Sequence, residues 1–118
     1  MIVDDVVQIR REVLMRRFVE VVRQRCFPNG APIPLDFLVP SEFLSEIGTD
    51  DEELADLFGW RWAQAQNEIL ACGARGDRIA AAECQLHAMA YAEIAERYRR
   101  RAGMTSGLGG NGAEGENA

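Results

Sequence analysis

The chain contains no lysine, and all 13 of its basic residues are arginine. Schiff-base catalysis through a side-chain amine is thereby excluded. Arginine-only usage fits codon bias in a GC-rich genome better than selection for forked donors, and with the small size it suggests a bacterial or phage origin. No stretch approaches the roughly 18 uncharged apolar residues that would mark a membrane span. The chain opens on Asp4 and Asp5 rather than on a basic segment followed by an apolar run. Cysteine is scarce and odd in number (Cys26, Cys72, Cys84), with no C-x-x-C spacing. Reduced, buried thiols in a cytoplasmic protein are the expectation.

Charge of one sign is also short. The net charge is -6 and the sequence pI is about 4.8, so a general binder of nucleic acid or anionic membrane, which needs basic groups facing phosphates, is disfavoured. The 47% hydrophobic and 27% charged content excludes a fully disordered chain, a collagen-like fibre and a membrane channel. A chain of 118 residues without repeats is expected to form one domain with its own core.

The periodicity predicts an all-α protein. Residues 3–26 carry Val3, Val6, Val7, Val13, Leu14, Phe18, Val21 and Val22 at helical spacing, closed by Phe27-Pro28-Asn29-Gly30. All four prolines fall in residues 28–40, interleaved with Ile33, Leu35, Phe37, Leu38 and Val39, giving an extended connector laid on the helices. Ser41 is placed to cap a short helix that Gly48 ends, and Thr49 or Asp50 to cap a third helix. That helix puts Leu54, Phe58, Trp62, Ala65, Ile69 and Cys72 on one face. After Gly73 and Gly76 a fourth helix runs from about Asp77 to Ala102, with Ile79, Leu86, Ala90, Ile94 and Tyr98 inside. The expected architecture is a small helical bundle in which a long N-terminal helix packs on a C-terminal antiparallel hairpin. The domain is 1–102; residues 103–118 are Gly-rich and expected to be a disordered tail.

Charge is unevenly distributed. Residues 1–27 hold six arginines against four acids, residues 28–59 hold eight acids and no base, and residues 60–102 hold seven arginines against five acids. The acidic block has three open explanations: pairing with the first helix, helix-start chemistry, or a docking surface for a basic partner. On the first helix Arg10, Arg17 and Gln24 form a line. It is flanked by Val6, Ile9 and Val13 on one edge and by Val3, Val7, Leu14 and Val21 on the other. Either the arginine stems overlie the core, or the line meets acids of another helix or another copy, with Glu83 a candidate. The broad apolar circumference, with Met15, Val19 and Val22 on the far side, makes a homodimer through this helix an open option.

Few residues combine into chemistry. Cys84 and His87 are one turn apart, but with Cys26 and Cys72 they lack zinc-site spacing, so no metal or cofactor is expected. Glu83 and His87 could share a hydrogen bond but have no third group. Neither a nucleophile elbow nor a phosphate loop occurs, and Arg75-Gly76-Asp77 fits a turn between helices. An enzyme is not expected. Residues 52–60, with Ala55 and Gly59, resemble the first half of a helix-turn-helix, which makes a DNA-binding regulator through residues 51–70 the alternative. Against it stand Glu68, where the motif wants an aliphatic, and the acidity of the first half. In a continuous helix Trp62 joins the core and Trp60 points nearly opposite, either exposed or covered by Phe37 or Leu38.

The function expected is binding of another protein, as an adaptor, assembly chaperone or inhibitor. The partner would carry a basic surface. The anchor would be Trp60 with Arg61, helped by Phe58 and Phe43, inside a rim of Glu42, Glu46, Asp50, Asp51, Glu52, Glu53 and Asp56.

Overall fold

The valine-rich N-terminal run is helical throughout. In the computed structural model, which describes residues 2–106, α1 covers Ile2–Cys26. Its buried stripe is Leu14, Phe18, Val21 and Val22, the three- and four-residue spacing of an amphipathic helix. The stop lies at the anticipated turn: the Gly30 N–H donates to the Phe27 carbonyl at 3.1 Å. Residues 27–40 then run extended over the helices and bury Val39 completely.

Ser41 provides no cap. A single 3-10 turn (Ser41–Phe43) follows Pro40 and leads into α2 (Leu44–Ile47), which Gly48 closes in the left-handed conformation at φ 85. Asp50 caps α3 (Asp51–Arg75) by accepting the Glu53 N–H at 2.8 Å, and the Thr49 hydroxyl donates to the Glu53 carboxylate at 2.8 Å. Helix α3 passes straight through Gly59, so the turn required by the helix-turn-helix alternative is absent. A glycine there costs about 1 kcal/mol of helix propensity, and the packing of Leu57 and Phe58 on its N-terminal side offsets it. At the hairpin, Gly76 adopts φ 74, which suits a residue without Cβ. The Asp77 N–H reaches back to the Cys72 carbonyl at 2.9 Å, and Asp77 caps α4 (Arg78–Ser106) through the Ala80 N–H at 3.1 Å. Helix α4 continues past the expected stop at Ala102. The rest of the tail expected to be disordered, from residue 107, lies outside the described residues. No described helix is long and apolar enough to cross a membrane.

The core is organised on Phe58. Its ring meets Phe18 of α1 edge-on at 5.5 Å and stacks with Tyr98 at 5.7 Å and Tyr91 at 6.2 Å on α4, geometries that add to simple burial. Beside it sits a buried polar clamp. Arg101 of α4 forks onto Asp51, with Nε at 3.0 and 2.9 Å from the two carboxylate oxygens and the terminal nitrogen at 2.8 Å from Oδ1. That same nitrogen donates to the Val39 carbonyl at 2.8 Å. The Val39 N–H donates to the Tyr98 hydroxyl at 3.0 Å, and the Tyr98 hydroxyl donates to the Phe37 carbonyl at 3.5 Å. The connector is thereby fastened by its backbone to α4, and through Arg101 to the start of α3.

Three expected core positions face outward instead of inward. Trp62 is 40% exposed, and Ile79 and Leu86 are more exposed still. The hairpin helices meet through Ala65, Cys72, Ala88, Tyr91, Ile94, Ala95 and Tyr98. Small residues let the two backbones approach, which rotates the inner face of α4 away from its largest aliphatics and leaves Trp62 at the edge of the seam.

Removing one partner of the clamp strands a buried charge, so Asp51→Ala is expected to destabilise the fold by about 3–5 kcal/mol. Glu53→Gln, at a solvated ion pair, should cost about 1 kcal/mol or less. Denaturant midpoints of the two variants check the difference. Burial pushes the Tyr98 hydroxyl up to about 12 despite the lowering effects of the Val39 N–H and of Arg101. The unfolded chain ionises this group near pH 10. Stability from Tyr98 is therefore complete below pH 10 and is lost by about 2–3 kcal/mol as pH rises to 12. Tyr98→Phe should flatten that fall, and in Tyr91→Phe the remaining phenol should titrate only near pH 12 by absorbance.

Candidate functional site

Most of the acidic block is occupied within the chain. Glu46 pairs with Arg25 at 3.0 Å, Glu53 with Arg10 at 2.9 Å, Asp56 with Arg11 at 3.5 Å and Asp51 with Arg101. Asp50 is the cap of α3. Glu42 and Glu52 make no hydrogen bond or ion pair among the described residues. Pairing with arginines of α1 and α4 is thus the state of the block. The Arg10–Arg17 line meets it directly: besides Arg10–Glu53, an Arg17 terminal nitrogen donates to the Glu46 carbonyl at 3.1 Å. Glu83, the candidate partner for this line, is exposed and forms no such pair among the described residues.

The aromatic candidates separate. Phe58 is 4% exposed and belongs to the core, so it cannot be a surface anchor; two aromatic shells of α1 and α4 close over it. Phe43 is half-buried against the core. Trp60 is half-buried too, because α1 lies along that side of α3. The Arg11 guanidinium sits 5.7 Å from its ring centre. Its cover is therefore α1, not the Phe37 or Leu38 of the connector. Trp60 and Trp62 do point apart, by about 200° at two residues' separation, but the helix has a second neighbour on the Trp60 side.

What Trp60 still presents is one wall of an open groove of about 510 Å³ between α1 and α3. Met15 and Val19 form the facing apolar wall, and Arg16, Arg23 and Arg61 stand around it, with Glu12 and Glu20 on the α1 rim. A hollow of about 290 Å³ adjoins it, sharing Met15, Val19 and Arg23 and bounded on its far side by connector residues 32–35. The connector's part in this wall was not anticipated. The surplus apolar circumference of the first helix at Met15 and Val19 was its trace in the sequence.

Arg61 is held at the base by neutral groups. Its terminal nitrogens donate to the Tyr91 hydroxyl at 3.1 Å and to the Gln64 side-chain oxygen at 3.3 Å, and its charge lies 5.3 Å from the Tyr91 ring centre. Its Nε is buried with no acceptor, as is that of Arg11, so the donor capacity of these forks is incompletely used.

Two further apolar surfaces face away from the core. Val6, Ile9 and Val13 line the outer side of α1, and Ile79, Leu86 and Met89 the outer side of α4. The cysteine–histidine set does not converge: no group of three or more His, Cys, Asp or Glu side chains able to hold a metal occurs among the described residues. His87 is exposed, with its ring edge toward Tyr91 at 6.4 Å. Burial is the main cause that pushes the Cys26 and Cys72 thiols up, with smaller contributions from neighbours, which keeps them neutral and weakly nucleophilic. Comparison with protein-family models, with curated proteins and with solved structures found no match to this chain.

Proposed function

We propose that the chain is a small helical protein-binding module, of adaptor, assembly-chaperone or inhibitor type, whose partner docks in the groove between α1 and α3. The supporting observation is the Trp60 wall: an aromatic half-buried by its own chain, with its free side turned into an open apolar groove. Such aromatics give large contact area at small entropic cost and concentrate binding energy at interfaces. The openness of the groove suits a side chain or segment of a protein better than a small molecule, which binding sites usually enclose. Arg61 keeps the role expected for it at the anchor, and the carboxylates of the expected rim serve mainly the fold.

A photo-crosslinking residue at Val19 tests the proposal in host cells. One discrete protein should be captured, and capture should disappear in Trp60→Ala while helicity by circular dichroism is unchanged. The same crosslinker at Glu93, exposed on α4 and outside the groove lining, should capture none of it. A product that survives Trp60→Ala, or no product from Val19, refutes the docking site.

A second property is favoured by a separate observation. Val6 and Ile9 are each about 60% exposed on the outer side of α1 and Val13 nearly half, an apolar stripe suited to a second copy of the same helix. Self-association through α1 predicts a concentration-dependent dimer in sedimentation, abolished by Ile9→Arg. A clean monomer at high concentration removes it.

A further inference from the structure

The groove has a sign. Around its apolar walls, Arg16 and Arg23 stand two helical turns apart on α1, and Arg61 stands on α3. Arg16 and Arg23 form no ion pair or hydrogen bond among the described residues. Arg61 has only the neutral Tyr91 and Gln64 for partners and a buried Nε without an acceptor. Of the two acids on the rim, Glu20 is engaged by Arg17 at 3.6 Å, which leaves Glu12 alone against three arginines. A chain of net charge -6 thus concentrates uncompensated positive charge at the Trp60 groove, while the other arginines of α1 that face the acidic block are neutralised by it.

Resting on the docking site proposed above, we infer that the groove recognises a short acidic segment of a partner protein that carries a bulky apolar side chain. The apolar side chain enters between Trp60, Met15 and Val19. Flanking Asp or Glu carboxylates meet the forks of Arg16, Arg23 and Arg61, which match carboxylate geometry with paired N–H donors. The adjoining hollow under connector residues 32–35 gives the segment a continuation past the anchor. The partner therefore has the charge opposite to the one the acidic composition suggests. The negative field of the whole chain opposes such a partner at long range, so recognition depends on contacts made at the groove.

A displayed library of short random peptides, selected against the full chain, reads this directly. Selected sequences should combine an aromatic or large aliphatic residue with neighbouring Asp or Glu, and should be lost against Trp60→Ala. For a synthetic peptide of that kind, Arg16→Glu with Arg23→Glu should weaken binding about tenfold or more without altering the melting temperature, because neither arginine supports the fold. Groove-dependent peptides that are neutral or basic, or acidic ones indifferent to the arginine reversals, overturn the inference and leave the docking site standing. A selection that yields no peptide dependent on Trp60 overturns both. Benzoate added alone is the control for a small anion, and if it binds as tightly as the peptide the segment is not what the groove reads.

Discussion

The fork of Arg101 on Asp51 is the constraint on which the rest of the structure depends. It joins the last turns of α4 to the first turn of α3, and through the Val39 carbonyl it ties in the connector. Without that tie the proline-rich segment would have only the Tyr98 hydroxyl and its own apolar side chains to hold it against the hairpin. Burying a charged pair is costly, and the cost is met only when the remaining donors and acceptors are satisfied. Here the carboxylate is reached from two nitrogens, and Tyr98, stacked on Phe58, closes the network on the other side of Val39. Placement of the connector in turn shapes the hollow that adjoins the groove, because residues 32–35 are one of its walls.

The charge layout follows a related logic. Eight acids without a base between residues 28 and 59 look like a surface for someone else. In three dimensions four of them meet arginines that come from α1 and α4, tens of residues away in sequence. Three of these pairs are solvated and each contributes little; together they join α1 to α2 and α3. The arginines left over are those whose side of α1 faces the groove rather than the acidic block. Net composition and local sign thus point in opposite directions.

Helices, caps and turns were legible because they rest on local chemistry: the proline cluster, Asp50 before the acidic start of α3, Gly76-Asp77 between the long helices. The all-α hairpin with a packed N-terminal helix follows from the same signals. Helix faces were less legible. Trp62, Ile79 and Leu86 read as core because large apolar residues dominate a periodicity argument, whereas the seam between α3 and α4 is built on Ala65, Cys72, Ala88 and the two tyrosines. Trp60 lies opposite Trp62, yet it gained cover, because which side of α3 receives α1 is a tertiary fact that a single helix cannot encode. The groove was still less visible. It is assembled from α1 and α3, with the connector bounding the hollow beside it, and only the unexplained width of the apolar band on the first helix hinted at it.

The hairpin is supported unevenly along its length. Near Phe58 three helices and the connector converge, while toward Gly76 the two helices have only each other, with Leu70, Ile79 and Leu86 turned to water. Fewer buried neighbours mean a smaller free energy for opening locally. The molecule therefore has a well-supported root and a sparsely supported tip: fraying of the helix ends costs least beside Gly76 and most toward Tyr91, which shares its hydroxyl with Arg61 at the base of the groove.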